Sequence, residues 1–525
     1  MLDSIVIPTA GEHAALAGVE TLAVGSAKVP HLPVMPELIA APDEDAVVAA
    51  VAARTAELEV FAARLELEGL APMAASARRA LRAGRWNADL ASLLEWVYGA
   101  TFKTAGRATM SFAPWYVDVT ASCPKAALPG AGGGYAYVCL TPAEHEHAAH
   151  ANQRIYEHLI GALNAVAGRS GELAAAVALR LDVVAAAARG DSPAPRFATP
   201  GDLKCLLKAD YKLGPAGELV LIDVSAGLVG LRFDDLLLDA LPAAADVPTV
   251  RVAPRMLDVV WRCFSAARGR APRAAAVLVL DEEMSVQWAA ADLDGLRAQI
   301  GSRLGADAGA VPVLTLAGLE AFADAPPGAV PETLGAPWAG IPELLLVYSC
   351  RVGELVRPAT YAWLRRLGVV IVDERHHALA AAKELSTAEM LGERLSAGVR
   401  VPETLVLDPA GAAGAACPQS AGEVVQLAWD LAEKRGWEVL AIKMGKVRRA
   451  QGAGDLPTAF VYPVTPVGRR LALRGLGRVW DQVKAAVGRP CLTVTRVEAG
   501  GGYECAPGER RDIEVRTYAL PVLRG

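Results

Sequence analysis

Strand-like and helical segments alternate between residues 274 and 372, and no other feature of the chain restricts its fold as strongly. Apolar runs of strand length recur four times, with helical patterns between them. The predicted strands and helices are, in order, 274–280, 289–304, 311–316, 317–323, 344–348, 354–367 and 369–372. This order predicts a mostly parallel sheet that binds ligands beyond the carboxyl ends of its strands. No G-x-G-x-x-G follows the first strand, so a nicotinamide site is not favoured.

A predicted β-hairpin at residues 208–227 carries two aspartates. Apolar runs lie on both sides of a Gly/Pro turn, so Asp210 and Asp223 can lie side by side on neighbouring antiparallel strands. Two carboxylates held that close repel each other unless a cation lies between them, and Mg²⁺ takes oxygen ligands of this kind. The hairpin therefore predicts a metal–phosphate site. A surface hairpin with two solvated aspartates is the open alternative.

Composition restricts the class of protein. The chain has 525 residues and a formal net charge of -6, which argues against non-specific binding of nucleic acid. Much of its 53% hydrophobic content is alanine, and no window of about 18 residues is both apolar and uncharged. The N-terminal sequence lacks the basic region of a secretory signal. The 8 cysteines show no C-x-x-C spacing, so no zinc site or disulfide framework is expected. We expect a soluble, cytoplasmic protein with no membrane or nucleic-acid partner.

The N-terminal 195 residues are predicted to be mainly helical. Helical spacing of Ala, Leu, Glu and Arg covers 44–68, 73–83, 87–98 and 143–167. The glycine run 130–134 precedes a strand pattern, which favours a hairpin loop over a phosphate-binding loop. Histidines 147, 150 and 158 fall in the last of these helices, where we expect an exposed or partner-facing polar stripe and no metal.

The last third contains a candidate nucleotide site. The segment 437–446 begins with an apolar strand pattern that ends in Lys443. Lys446 lies just beyond this strand. A lysine at the end of such a strand packs its stem and presents its ammonium, which suits a phosphate oxygen. The basic segment 448–454 predicts a phosphate lid, with an ordinary surface hairpin as the open alternative. The lid residues that we single out are Arg448, Gly452 and Gly454.

Further elements surround this strand. The pattern predicts a helix from Lys383 to about residue 398, a strand at 401–407 and, after a linker, a helix that ends near residue 436. Late strands are predicted at 491–497 and 511–518.

The order of these elements resembles the ATP-grasp superfamily, specifically its circularly permuted branch of glutathionylspermidine synthetase-like amide ligases. The resemblance covers about residues 200–525. The family pattern Arg-x-Asp, a turn, then Glu-x-Asn is similar to Lys208-x-Asp210 and Asp223-x-Ser225. The other similarities are Tyr348-Ser-Cys-Arg351 to a Tyr-x-Arg strand end, Lys383 and Lys443 to two phosphate-binding lysines, and the strand with Arg511 and Arg516 to an Asp-x-Arg strand.

The helical pattern of the N-terminal region and the resemblance of the rest together predict an α/β (α+β) fold in four parts. These are a mainly helical N-terminal region at 1–195, a permuted ATP-grasp strand pair with the metal-binding carboxylates at 196–265, a small open α/β domain at 270–380 and a nucleotide-binding lobe at 381–525.

The same resemblance implies an ATP-dependent carboxylate–amine ligase that forms an amide or peptide bond through an acyl phosphate. The cofactors would be ATP and Mg²⁺, and the partners would be a small-molecule carboxylate and an amine or peptide, while a homo-oligomer stays open. The implied metal ligands are Asp210, Asp223 and Ser225. The implied ATP ligands are Lys383, Lys443, Lys446, the lid residues and, for adenine or ribose, Glu498. The implied catalytic residues are Arg516 or Arg511 for the transferring phosphoryl group and Arg351 for the acceptor, with strand-surface ion pairs as the alternative role of the arginines.

Three residues depart from the family pattern. Asp223 stands for Glu and Ser225 for Asn, which changes the metal ligands, and Lys208 stands for Arg, which removes a bidentate fork. Two other functions therefore stay open. One is a catalytically degenerate ATP-grasp-like protein that acts as a nucleotide-binding or structural partner, and the other is a metal-nucleotide-dependent transferase.

Overall fold

The computed structural model shows a mixed α/β protein, and within its described residues there are five β-sheets. The described segments are 3–6, 40–67, 71–94, 127–129, 135–137, 207–214, 218–226, 252–279, 287–324, 342–348, 366–372, 394–407, 418–444, 459–485, 492–498, 503–506, 509–511 and 514–520, with single residues at 37, 147, 150–152, 154, 155, 158, 216, 228, 360, 363, 364 and 391. No helix in these segments has both the length and the apolar character that crossing a bilayer requires.

The strands are numbered in chain order. They are β1 (Asp3–Val6), β2 (Ala127–Pro129), β3 (Tyr135–Tyr137), β4 (Leu207–Leu213), β5 (Leu219–Ala226), β6 (Ala275–Val279), β7 (Val313–Thr315), β8 (Leu344–Tyr348), β9 (Val370–Val372), β10 (Arg394–Ser396), β11 (Val399–Arg400), β12 (Thr404–Leu407), β13 (Val439–Met444), β14 (Ala459–Pro463), β15 (Leu492–Arg496), β16 (Tyr503–Ala506), β17 (Glu509–Arg511) and β18 (Glu514–Leu520). The helices are α1 (Glu44–Ala53), α2 (Thr55–Leu67), α3 (Ala71–Ala83), α4 (Val252–Arg268), α5 (Gln287–Leu304), α6 (Leu316–Asp324), α7 (Ala421–Arg435) and α8 (Pro466–Ala485).

The predicted parallel sheet is confirmed, with strand order β7-β6-β8-β9 and parallel pairing throughout. Strands β6 and β8 are buried along their whole length. One face packs against residues of α4 and α5, and the other packs against Leu319 of α6. Burial on both faces explains why these strands read as unbroken apolar runs. At the amino-terminal edge, Arg270 donates two hydrogen bonds to Glu343, at 2.8 and 2.5 Å, which lowers the pKa of Glu343 to about 2.

The predicted aspartate hairpin is also confirmed. It forms β4 and β5 of a six-stranded sheet with the order β1-β18-β4-β5-β11-β10. The pairing is antiparallel except between β5 and β11. The smaller hairpin of β2 and β3 lies on both sides of the glycine run 130–134, in agreement with the prediction of a hairpin loop there.

A third sheet and two helices form a lobe that spans residues 404–496. Its strands follow the order β12-β15-β13-β14 and are all antiparallel. Helix α7 begins at an N-cap, Ser420, whose side chain accepts from the Glu423 main-chain N–H at 3.2 Å. It ends at Gly436, which has a φ of 65°, a left-handed conformation that costs a side-chain-bearing residue energy. The prediction that this helix ends near residue 436 is therefore confirmed.

The N-terminal helices pack into this lobe. Leu58 and Phe61 of α2 belong to the same buried apolar cluster as Trp429 of α7 and Leu471 of α8. Arg474 of α8 adds two hydrogen bonds to the helical segment 88–94, at 2.9 Å to a main-chain oxygen and 3.0 Å to a serine hydroxyl. Residues 41–94 and the lobe therefore share one core.

Three sequence-based boundaries were wrong. The helix predicted at 44–68 is two helices separated at Arg54, where the Thr55 hydroxyl hydrogen-bonds to the Ala52 oxygen at 2.9 Å and competes with regular helix geometry. The helix predicted to end near residue 398 is replaced there by β10 and β11, because pairing with β5 overrides local propensity. The strand predicted at 511–518 is split, since β17 pairs with β16 and β18 pairs with β4.

The shared core leads to a stability prediction. Leu58→Ala should lower the free energy of unfolding by about 2–5 kcal/mol, because Leu58 is 0% exposed. Val60→Ala, in the same helix but 56% exposed, should change it by about 0.5 kcal/mol or less. Urea unfolding measures both changes. Hydrogen exchange in α7 should accelerate in the Leu58 variant alone, and equal exchange in the two variants would contradict a core shared between α2 and the lobe.

Candidate functional site

Strand β4 carries three charged residues at alternate positions, Lys208, Asp210 and Lys212, and all three are buried. Alternate residues of a strand lie on one face, and we name these three the charged face of β4. The intervening residues, Ala209 and Tyr211, are fully buried on the opposite face. Burying a charge is costly unless polar or oppositely charged groups surround it. The charged face of β4 must therefore be covered by other polar parts of the protein.

The strand register places the two predicted metal ligands side by side. Asp210 pairs with Asp223, and residues in such positions have Cβ atoms roughly 5 Å apart. On the other side, Asp210 pairs with Arg516 of β18. The register then shifts, because Tyr211 pairs with Leu221 and leaves Ile222 as an extra residue in β5. Such a bulge locally interrupts the ladder and leaves main-chain groups available to other partners.

The lobe reaches this bulge through Lys443. On β13, Leu440 and Ile442 are 0% exposed and belong to the helical core of the lobe. Lys443 follows on the opposite face of the strand, and its ammonium donates a hydrogen bond to the main-chain oxygen of Ile222. The contact joins residues 221 positions apart. It brings the predicted phosphate-binding lysine next to Asp223.

A second set of contacts lies beside the first, at the end of β15. The Glu498 carboxylate accepts a hydrogen bond from Arg400 at 2.7 Å, and Arg496 lies 3.6 Å from its other oxygen. The main-chain oxygen of Glu498 accepts from the Lys212 ammonium at 2.7 Å. Arg400 also lies 3.4 Å from Glu218. These ion pairs cover one end of the charged face of β4.

The opposite face of β4 is covered by helical residues of the N-terminal region. Tyr211 donates a hydrogen bond to the Asn152 side-chain oxygen at 2.7 Å, and both residues are 0% exposed. The same helical residues contact β10, since Arg154 donates to the Leu395 oxygen at 3.3 Å and Ser396 donates to the His147 oxygen at 3.2 Å. The N-terminal region therefore supports the strand that carries Asp210.

The three histidines do not form a uniformly exposed stripe, and the partner-facing alternative stays a prediction. His150 is exposed, but His147 and His158 are half-buried. Burial lowers the pKa of His158, so its imidazole is neutral near pH 7. The helix instead uses this part of its surface to pack against the sheet.

The structure brings some of the predicted site residues together. Asp210, Asp223 and Lys443 meet at the bulge, and the register adds the positions of Arg516 and Ser225, the latter opposite Lys208. Arg511 belongs to a different sheet, where it pairs with Tyr503. The predicted residues outside the described segments are Arg351, Lys383, Lys446, Arg448, Gly452 and Gly454. Their roles, and the contact of Glu498 with adenine or ribose, stay predictions.

Sequence reasoning missed several residues of this site. Lys212 could have been found, because Lys208, Asp210 and Lys212 repeat with the period of two that places them on one face of a strand. Arg400 and Asn152 carried no local signal. Their partners lie 98 and 59 positions away, and only the tertiary fold brings them together.

The donor set at the bulge suits Mg²⁺. This ion prefers oxygen ligands and is usually held by one or two carboxylates together with substrate phosphates and water. Asp210 and Asp223 supply two carboxylates, and Lys443 supplies a cation for phosphate. In the segments that the structure describes, no group of three or more His, Cys, Asp or Glu side chains forms a metal cage. The arrangement thus fits an ion shared with a phosphate ligand better than a metal held by protein alone.

A scan of the chain against protein-family models and a search of curated proteins found no match.

The buried pair on the back of β4 gives a second prediction. Tyr211→Phe should lower the free energy of unfolding by about 1–3 kcal/mol, because the buried Asn152 oxygen loses this donor. The double variant Tyr211→Phe/Asn152→Leu should recover part of the loss, since two apolar partners leave neither group of this pair unsatisfied. Urea unfolding measures both, and strictly additive losses would contradict the coupling.

Proposed function

We propose that this chain is an ATP-dependent ligase that joins a carboxylate to an amine. The observation that carries the proposal is the contact of the Lys443 ammonium with the Ile222 main-chain oxygen, beside Asp223. A cation from one sheet and two paired carboxylates from another meet at this point. Proteins that transfer phosphoryl groups need both kinds of charge, one for phosphate oxygens and one for the metal that bridges them.

The charges around the bulge support a triphosphate ligand. Lys208 and Lys212 are buried on the same face as Asp210, and Arg516 occupies the adjacent register position. In a site of this kind the fixed cations attract the phosphate oxygens of a polyanion, and the two carboxylates attract its metal ion. An ammonium group has three N–H donors, so the hydrogen bond from Lys443 to the Ile222 oxygen is compatible with a contact to phosphate.

The residues have distinct roles in the proposed reaction. A carboxylate oxygen of the first substrate attacks the terminal phosphorus of ATP, ADP leaves, and the amine then attacks the acyl carbon of the acyl phosphate, which releases phosphate and a proton. Asp210 and Asp223, with Ser225 in a weaker role, would hold Mg²⁺, which would draw charge from the phosphate oxygens. Lys443 orients the phosphates, and Arg516 stabilises charge on the phosphoryl group as it is transferred.

Residues outside the described segments complete the proposal. Lys383 and Lys446 would bind further phosphate oxygens, the segment 448–454 would close over them, and Arg351 would face the acceptor. Arg511 has weaker support than Arg516, because its strand pairs outside the sheet that carries Asp210.

An assay of the full-length protein tests the proposal. Mg-ATP is incubated with panels of amino acids, amines and short peptides, and released ADP and phosphate are measured. Release that requires both a carboxylate and an amine supports ligation. ATP binding without turnover under any combination supports a degenerate nucleotide-binding protein, and transfer of phosphate or sugar to a single acceptor supports a transferase. Absence of ATP binding overturns the proposal.

The carboxylate pair gives a mutational prediction. Asp210→Asn should reduce Mg-ATP turnover by about 10²-fold or more, because it removes a fixed charge that the reaction needs. Asp294→Asn is the control, since the Asp294 side chain is 73% exposed on α5. Steady-state kinetics over a range of Mg²⁺ concentrations measures the loss, and circular dichroism checks the fold. Normal turnover by a folded Asp210→Asn protein would remove the metal assignment.

A further inference from the structure

Two crossings of the chain join the lobe to the six-stranded sheet. The chain leaves the sheet at Arg400, the last residue of β11, and enters the lobe at β12 after only residues 401–403. It leaves the lobe at the end of β15, in the segment 496–498, before it returns to the sheet as β18. The two crossings are adjacent, because the Arg496 main-chain N–H donates to the Glu403 oxygen at 3.0 Å. We name Arg400, 401–403 and 496–498 the neck.

Glu498 joins the two crossings of the neck. Its carboxylate accepts from Arg400 of the outgoing crossing at 2.7 Å, and its main-chain oxygen accepts from Lys212 of the charged face of β4 at 2.7 Å. The second carboxylate oxygen lies 3.6 Å from Arg496. The side chain of Glu498 is only 9% exposed, although Arg400 is 36% exposed. Both oxygens of this buried carboxylate therefore already face cations.

We propose that Glu498 is a positioning residue that clamps the neck, so that Lys443 of the lobe lies over the carboxylate pair, and that it does not bind the sugar of the nucleotide. The clamp works through two different groups of one residue. The carboxylate fixes the two crossings to each other, and the main-chain oxygen fixes them to β4. That Lys443 binds a nucleotide phosphate rests on the proposed function. The contacts of Glu498 with the neck and with β4 do not depend on any ligand.

Geometry favours a clamp over a sugar ligand. A carboxylate that binds ribose hydroxyls needs acceptor oxygens open to the ligand. Arg400 donates a charge-assisted hydrogen bond to one oxygen of Glu498, which is stronger than a bond to a hydroxyl group, and Arg496 lies 3.6 Å from the other oxygen. Removing Arg400 is also costly, because the Glu498 carboxylate, which is only 9% exposed, then loses a compensating charge.

A double-mutant cycle on the full-length protein tests the clamp without any ligand. Glu498→Gln and Arg400→Gln should each lower the urea midpoint, and the double variant should lower it no further than the more damaging single variant. Arg400→Lys, which keeps the charge, should recover part of the loss. Arg79→Gln is the matched control, because it breaks an ion pair with Asp89 that lies outside the neck, and Arg79 is 55% exposed. Additive losses at positions 400 and 498 would overturn the clamp.

Hydrogen exchange of individual strands tests whether Glu498 positions Lys443, separately from its effect on the stability of the whole protein. In Glu498→Gln, amides of β13 and β5 should exchange faster, since Lys443 is no longer held at the bulge, whereas β6 in the parallel sheet should be unchanged. Unchanged exchange in β13 and β5, or an equal increase in all three strands, would overturn the positioning role.

Nucleotide binding distinguishes a Glu498 that clamps the neck from a Glu498 that binds the sugar of the nucleotide. Titrations with Mg²⁺ and ATP, 2′-deoxy-ATP or 3′-deoxy-ATP measure three dissociation constants for each variant. A clamp predicts that Glu498→Gln and Arg400→Gln weaken all three by the same factor, on the order of tenfold. A sugar ligand predicts that only Glu498→Gln removes the discrimination between ATP and its deoxy analogues, which would overturn the inference. If the wild-type protein binds no nucleotide, the proposed function fails, and the double-mutant cycle and hydrogen exchange still decide whether Glu498 clamps the neck.

Discussion

The burial of alternating charges on β4 is the constraint on which the candidate site depends. Lys208, Asp210 and Lys212 lie on one face of a strand that has neighbours on both sides, so solvent cannot compensate their charge. The fold compensates it with polar groups from elsewhere, such as the Glu498 oxygen that accepts from Lys212. Such an arrangement stabilises a protein less than an apolar core of the same size would. A chain that keeps it is expected to use it for binding or chemistry.

The sequence predicted the parts of this structure that local patterns determine. The hairpin of β4 and β5 followed from apolar runs around a turn, and the end of α7 near Gly436 followed from its helical pattern. The bulge at Ile222 was not predictable, because a one-residue shift in register leaves no mark in composition. The neck was not predictable either, since Arg400 and Glu498 meet only after a 98-residue excursion of the chain.

The N-terminal region is less separate from the site than its sequence suggested. Its first helices share a core with the lobe that carries Lys443, and its later helical residues support Tyr211 behind Asp210. The region thus contacts the outer side of both sheets that meet at the bulge. Rigid backing of this kind limits how far the charged groups can drift from one another, and preorganisation of charge is the main way in which a protein stabilises a developing anion.

The pairing of β1 with β18 has a consequence for biosynthesis. Residues 3–6 hydrogen-bond to residues 517–520, and β18 lies between β1 and β4 in the sheet. During translation the amino-terminal strand must wait for almost the whole chain before its partner leaves the ribosome, and such distant pairing is slow to form. The six-stranded sheet, with Asp210 in it, is therefore the last unit of the described fold to close. Until then its strand edges are exposed to other chains, so chaperone protection is most valuable before β18 has left the ribosome.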